Sequence, residues 1–93
     1  MFLSDREWRI IADQLRLSPR QLEIARLVVE GLSDEGIAER LPISSHTVHA
    51  HIGRLYRNLD VRDRSQLVVR LFAQYVALKN NQDPTVNVPR ERC

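Results

Sequence analysis

Signals that start helices recur along this chain at short intervals and leave little room for strands. Ser4 and Ser18 are each followed three residues later by Glu7 or Gln21, the spacing of a capping box. The remaining N-cap candidates are Ser33, Ser44 or Ser45, and Asp63. Between these residues the apolar side chains repeat at helical spacing, so the sequence predicts five helices and no strand.

The connections in the middle of the chain are short. Pro19 occupies the first position of the second predicted helix, where its missing N–H costs nothing. Gly31 is a plausible end for that helix, and Pro42 ends the third one. Short helices joined in this way are typical of a helix-turn-helix unit inside a helical bundle. The fifth helix is predicted to run from Asp63 to about Lys79.

Length and composition favour one small all-α domain. The 93 residues can bury a single modest core. Hydrophobic residues make up 43% and aromatic residues only 5%, so Leu, Ile and Val must fill that core. This balance suits short packed helices better than a β-sandwich.

The sequence argues against a membrane protein, an exported protein and a disulfide-bonded one. No apolar run approaches the length of about 18 residues that a membrane span needs, and no basic stretch followed by an apolar one opens the chain. The single cysteine, Cys93, cannot form an internal disulfide and suits a reducing compartment. We therefore expect a cytoplasmic protein without a membrane segment. The net charge of +2 does not by itself indicate a nucleic-acid partner.

The stretch "ISSHTVHAHIGRL", residues 43 to 55, contains all three histidines of the chain. At about 100° per residue, one stripe falls within an arc of about 60° and is predicted to be buried. This stripe consists of Val48, Ile52, Leu55 and Leu59. The residues nearly opposite it, which should face away from the domain, are His46, Ala50, Gly53 and Arg57. Arg54, Thr47 and His49 flank that outer face.

The histidine spacing argues against metal binding and catalysis. A metal site needs three or four converging ligands, whereas only His46 and His49 are neighbours and His51 points elsewhere. No Ser or Asp has an evident fixed distance to a histidine, so we expect no catalytic residue, metal or cofactor. His51 is best interpreted as a half-buried residue bonded to the domain or to a phosphate. For His46 and His49, solvent exposure and contact with DNA are both open.

Polar residues around this helix are candidates for binding phosphates. Four arginines lie within eleven residues, namely Arg54, Arg57, Arg62 and Arg64. They could sit over phosphates, or form an ordinary solvated surface in which Asp60 and Asp63 dilute their charge. The hydroxyls of Ser44, Ser45 and Thr47 suit a helix N-terminus and could also reach a phosphate.

The fifth helix carries more apolar surface than one neighbour can cover. Its first stripe is Leu67, Leu71, Tyr75 and Leu78, and its second is Val69, Phe72 and Val76. The first stripe can pack on the core. The second needs a cover, which is either the N-terminal helix with Trp8 or a second copy of the protein.

Residues 17 to 67, "LSPRQLEIARLVVEGLSDEGIAERLPISSHTVHAHIGRLYRNLDVRDRSQL", resemble the LuxR-type helix-turn-helix of bacterial transcription regulators. The resemblance rests on Ser18-Pro19-Arg20, Gly31-Leu32-Ser33, Ile37-Ala38, Ile43-Ser44, Thr47-Val48, His51, Leu59, Val61, Arg64 and Leu67. It implies an all-α bundle with a helix-turn-helix and, here, an extra N-terminal helix. It also implies a recognition helix, about residues 45 to 59, in the major groove of duplex DNA and dimerisation through the last helix.

The resemblance assigns roles to residues and divides the chain. The expected DNA-binding residues are Ser44, Ser45, His46, Thr47, His49, Ala50, His51, Arg54, Arg57 and Arg64, and the expected dimer contacts are Val69, Phe72 and Val76. The expected division is 1–16 for the N-terminal helix, 17–79 for the helix-turn-helix domain and 80–93 for a mobile polar tail. Beyond DNA, RNA polymerase or a signalling protein is a candidate partner.

Several positions depart from the LuxR pattern. The family often has a basic residue where this chain has His49, and a basic or polar one where it has Gly53; Asn58 replaces a frequent lysine. Pro42 stands where the family usually has glycine, so a different turn is expected there. Two alternatives therefore stay open: a helix-turn-helix-fold protein-interaction module with degraded DNA recognition, and a sigma-factor-like promoter-binding domain.

Overall fold

The computed structural model describes residues 3–82, with side chains described for residues 3–80. This part of the chain holds five helices and no strand: α1 (Asp5–Leu15), α2 (Pro19–Val29), α3 (Asp34–Arg40), α4 (Ser45–Leu59) and α5 (Arg64–Gln82). The predicted all-α class and helix order are confirmed, but α5 continues beyond Lys79. Most of the expected tail, including Cys93, lies outside the described residues, as do residues 1 and 2. Among the described helices, none has the length and apolar character that crossing a membrane requires.

The serine caps form as their spacing predicts. Ser4 Oγ accepts from the backbone N–H of Glu7 at 3.1 Å, and Glu7 Oε1 accepts from the Ser4 N–H at 3.0 Å. Ser18 and Gln21 make the same reciprocal pair at the start of α2. These local bonds satisfy N–H groups that a helix leaves unpaired at its first turn. They fix where α1 and α2 begin.

Helix α2 lies at the centre of the bundle and contacts each of the other four helices. Its Ile24 and Ala25 are completely buried, and Val28 is nearly so. Around it the core is almost entirely aliphatic; its fully buried large side chains are Ile11, Ile24, Ile37, Leu55, Leu67, Leu71 and Val48. Packing on α2 therefore sets the position of α4.

Helix α1 packs against α2 and α5. Trp8 is buried at its centre, with the Arg26 guanidinium 5.7 Å from the ring centroid. Lys79 Nζ lies 2.6 Å from Glu7 Oε2, and Gln74 Nε2 donates to Gln14 at 2.7 Å. The hydrogen bond from Lys79, helped by the Ser4 backbone, lowers the pKa of Glu7, and the same contact raises the pKa of Lys79. These pairs place α1 antiparallel to α5.

The first four helices all end in the same way. A residue with positive φ reverses the chain, and the N–H of the next residue donates to a carbonyl five positions back, as in the Schellman motif. The reversing residues are Arg16, Gly31, Pro42 and Asp60, with φ of 58°, 94°, 28° and 57°. The donors that follow are Leu17, Leu32, Ile43 and Val61, with N–O distances of 2.8 to 3.1 Å. All four donors are apolar residues packed against the core.

Pro42 is the least suitable of the four reversing residues. The chain reverses here with positive φ as it does at Gly31, but it enters the turn differently, since Leu41 has a φ of −102° where Glu30 before Gly31 has −73°. The proline ring prefers a φ near about −65°, so a φ of 28° is strained. Pro42 also lacks the N–H that Arg16, Gly31 and Asp60 donate to a carbonyl three residues back. The motif here loses one hydrogen bond and adds strain.

We predict that Pro42→Gly stabilises the domain. Relief of the strained φ, a cost of about 1–3 kcal/mol, should exceed the loss of about 0.4–1 kcal/mol from a more flexible unfolded chain. Urea unfolding followed by circular dichroism measures the change. Pro19→Gly is the matched control and should destabilise, because Pro19 lies at a helix position that suits its ring. A Pro42→Gly variant as unstable as Pro19→Gly would contradict the strain argument.

Candidate nucleic-acid interface

Helix α4 is held by the stripe that its periodicity predicts. Val48 and Leu55 are completely buried, and Ile52 and Leu59 are nearly so. The stripe packs against α2, α3 and α5. Because these four side chains fix the rotation of the helix about its axis, they also determine which residues face solvent.

The opposite side of α4 is open to solvent. Its exposed residues are Ser45, His46, His49, Ala50, Arg54, Arg57 and Asn58. Gly53 lies on the same side, and a β-carbon added there would meet only Arg57 Nη1, at 3.5 Å. The Arg57 guanidinium therefore extends back along the helix over Gly53. Helix α4 contains three histidines and two arginines but no Asp or Glu.

The N-terminus of α4 is capped by Ser44. Its Oγ accepts from the Thr47 N–H at 3.0 Å and lies 2.9 Å from Thr47 Oγ1. Both hydroxyls are thus already hydrogen-bonded to each other, whereas Ser45 is exposed beside them. A helix N-terminus with no acidic residue in its first turn favours a bound anion such as phosphate.

The three histidines have different surroundings. His46 and His49 are exposed, and His51 is half-buried, closer to the core stripe. In residues 3–82 no group of three or more His, Cys, Asp and Glu side chains is close enough to hold a metal ion. His49 alone has a carboxylate partner, and that partner comes from another helix.

Asp34 joins three helices through one carboxylate. Its Oδ2 lies 2.9 Å from His49 Nδ1, and its Oδ1 accepts from Arg64 Nη2 at 3.1 Å. Arg64 Nη1 also donates to the carbonyl oxygen of Leu32 at 2.8 Å. We call His49, Asp34, Arg64 and the Leu32 carbonyl the Asp34 cluster. It ties the turn before α3 to α4 and to the start of α5.

The sequence interpretation missed Asp34 as part of the site. Asp34 gives no signal as a site residue in the sequence, because His49 and Arg64 are 15 and 30 positions away. Arg64 was expected over a phosphate, and it has two partners inside the domain with 37% of its side chain exposed. Nearby, burial raises the pKa of Tyr56, and the charge of Arg64 opposes that rise.

The second apolar stripe of α5 is uncovered in the described part of the chain. Val69, Phe72 and Val76 are 66%, 51% and 39% exposed. The first stripe is instead buried, as predicted, with Leu67, Leu71 and Leu78 in the core. Because α1 packs beside α5 without covering Val69, Phe72 and Val76, the N-terminal helix is excluded as their cover.

We predict that Arg64 stabilises the domain. Arg64→Ala should lower the free energy of unfolding by about 1–2 kcal/mol, because the Leu32 carbonyl loses its donor. Arg64→Lys should restore only part of this, since an ammonium cannot hold two partners with a planar fork. Arg62→Ala, at an exposed neighbouring arginine, is the control. Equal urea midpoints for Arg64→Ala and Arg62→Ala would show that the cluster adds no stability.

Comparison with known proteins gives independent evidence of the family to which the chain belongs. The family model described as bacterial regulatory proteins, luxR family, matches residues 15–71. YhjB of Escherichia coli strain K12, named as a candidate HTH-type transcriptional regulator, is 41% identical over 76 residues, which cover 76% of this chain and 38% of YhjB. The two-component response regulator PprB of Pseudomonas aeruginosa is 39% identical over 56 residues, which cover 60% of this chain and 20% of PprB.

A third relative, the response regulator protein VraR of Staphylococcus aureus, is 36% identical over 56 residues, covering 60% of this chain and 27% of VraR. The chain thus spans less than two fifths of the length of each of these relatives. No solved structure matches the chain significantly. The family match covers more than half of the chain and includes all of α2, α3 and α4. The chain therefore belongs to the luxR family of bacterial regulatory proteins.

Proposed function

We propose that this chain is the DNA-binding part of a bacterial transcription regulator and that it lays α4 in the major groove of duplex DNA. The observation that carries the proposal is the outward side of α4, which exposes two arginines and two histidines on a helix without a carboxylate. Membership of the luxR family supports it, and it disfavours the sigma-factor alternative. A cytoplasmic location belongs to the same proposal.

The exposed residues divide into two roles in this proposal. Ala50, His49 and Arg54 lie nearest the base edges, where arginine donates to guanine and the Ala50 methyl meets a thymine methyl. The residues proposed to contact phosphates are Ser44, Ser45, His46, Thr47, His51, Arg57 and Arg64. Thr47 and Arg64 would do so while keeping their contacts inside the domain, since each retains further hydrogen-bonding capacity.

The source of the regulatory signal is a further part of the proposal. Two of the relatives are named response regulators. We propose that a signalling protein or RNA polymerase contacts this chain or the protein it belongs to. No catalytic residue or cofactor is required for that role.

We predict DNA binding that strengthens with acid. The ordinary pKa of histidine is about 6.5, so affinity for a cognate duplex should rise between about pH 7.5 and about pH 6. His49 is not expected to cause the rise, because it is placed at the base edges and already contacts Asp34. His46→Ala, which removes an exposed histidine from the proposed phosphate contacts, should remove most of the rise, whereas Arg54→Ala should weaken binding at every pH. Fluorescence anisotropy on a labelled duplex measures both.

A salt series completes this test. Each protonated contact to phosphate should steepen the log–log salt dependence by about one unit. Tight binding that ignores both pH and His46→Ala would mean that the histidines do not contact phosphate. If no duplex binds at low salt and pH of about 6, where histidine is largely protonated, the protein-interaction alternative replaces the proposal. Gly53, where the LuxR pattern often has a basic or polar residue, and Asn58, where it often has lysine, favour that alternative.

We also propose that the chain forms a homodimer through Val69, Phe72 and Val76. These exposed apolar residues lie on one side of α5, and an apolar recess lined by Val61, Ser65, Gln66, Val69 and Arg70 continues the surface. A two-fold axis would bring the same surface of both copies together. Two copies of α4 could then contact two half-sites of one duplex.

We predict that Val76→Glu disrupts this dimer without unfolding the domain, because Val76 is already 39% exposed. Sedimentation velocity should shift to the monomer while circular dichroism stays unchanged. Ala77→Glu, at an exposed neighbouring position of the same helix, is the control and should leave the mass unchanged. If the parent chain is already monomeric at high concentration without DNA and with DNA, the dimer proposal fails.

A further inference from the structure

The contact between Asp34 and His49 fixes which imidazole nitrogen carries the proton. Asp34 Oδ2 lies 2.9 Å from His49 Nδ1, while the other oxygen of the same carboxylate accepts from Arg64. A carboxylate paired with a guanidinium only accepts hydrogen bonds, so the Nδ1 of His49 must donate. In the neutral imidazole the second nitrogen, Nε2, then has no hydrogen and acts as an acceptor.

The carboxylate is held firmly enough to impose this arrangement. The Asp34 side chain is only 27% exposed and sits in the first turn of α3. Arg64, in α5, donates one hydrogen bond to this carboxylate and another to the carbonyl oxygen of Leu32. The carboxylate is therefore fixed by its place in α3 and by Arg64 of α5, and the His49 ring need only turn toward the oxygen that Arg64 leaves free.

The acceptor nitrogen faces solvent where the proposed DNA surface lies. The His49 side chain is 80% exposed, in spite of its bond to Asp34. Of its exposed neighbours on the outward side of α4, Ala50 has no polar side-chain atom and Arg54 offers only donors. A neutral His49 is thus a hydrogen-bond acceptor on a surface otherwise rich in donors.

We propose that Asp34 is a positioning residue that makes neutral His49 read an exocyclic amino group in the major groove. Such groups are the N6 amino group of adenine and the N4 amino group of cytosine, whereas guanine presents only acceptors there. This inference rests on the proposed DNA-binding function. It goes further by assigning to His49 the bases that present an amino group, whereas arginine reads the acceptors of guanine.

The protonation of His49 can be tested without DNA. Long-range proton–nitrogen NMR correlation on the ¹⁵N-labelled chain at a pH of about 8, above the ordinary pKa of histidine, distinguishes protonated from bare ring nitrogens. His49 should show a protonated Nδ1, and exposed His46 should show the Nε2–H form that free histidine favours. A wild-type His49 with the same pattern as His46 would overturn the proposal.

Variants separate positioning from a structural role. Asp34→Ala should move the His49 pattern to that of His46. Glu35→Ala removes an exposed acid from the same helix turn and should leave the pattern unchanged. Asp34→Asn, whose amide oxygen can still accept from Nδ1, should retain part of the Nδ1–H form and is the second choice if Asp34→Ala does not fold. An unchanged pattern in a folded Asp34→Ala would also overturn the proposal.

The reading of an amino group is tested with altered bases. A duplex selected from a randomised pool by the wild-type chain is remade with single adenines or cytosines that lack the amino group. At one position this change should weaken binding by the wild-type chain about three- to tenfold at a pH of about 8. Binding by the His49→Ala variant should not change. Guanine N7 is replaced in a further set of duplexes. If only this change weakens binding by the wild-type chain without affecting His49→Ala, the ring donates a hydrogen bond and the proposal fails. If the pool yields no bound duplex, base reading fails together with the proposed function, while the NMR result still decides the role of Asp34.

Discussion

The burial of α2 among the other four helices is the constraint on which the rest of the structure depends. Ile24 and Ala25 are completely buried, and Val48 and Leu55 of α4 are equally buried. Full burial of a Val, Leu or Ile side chain stabilises a fold by about 1.5–3 kcal/mol. Because these contacts orient α4, apolar packing determines which histidines and arginines face outward, while the contact with Asp34 orients only the His49 ring.

Most of the fold could be predicted from the sequence because its signals are local. A capping serine and its partner are three residues apart, and a buried stripe repeats every three or four residues, so both are visible in short windows. The end of α5 was placed too early because Asn80 and Asn81 look like a stop, yet the helix runs through them to Gln82. The positive φ at Pro42 could not be predicted, because a proline ring favours a φ near about −65°.

The candidate site could be predicted only in part. The exposed side of α4 follows from helical period and was found at His46, Ala50 and Arg57. The contacts of Asp34 could not be found in the same way, because they exist only once α3 packs against α4 and α5 begins beside them. Arg64 gave a signal through its family position, but a single sequence does not indicate whether such an arginine faces a phosphate or a carboxylate.

The shared ending of the first four helices separates the stability of the domain from the orientation of α4. Each chain reversal is followed by an apolar residue packed against the core, and only Gly31 lacks the β-carbon that disfavours positive φ. Arg16 and Asp60 occupy such a position at a modest energetic cost of about 1–2 kcal/mol. Substitutions at these helix ends can therefore change the stability of the domain without changing which residues of α4 face outward, because packing on α2 sets that orientation.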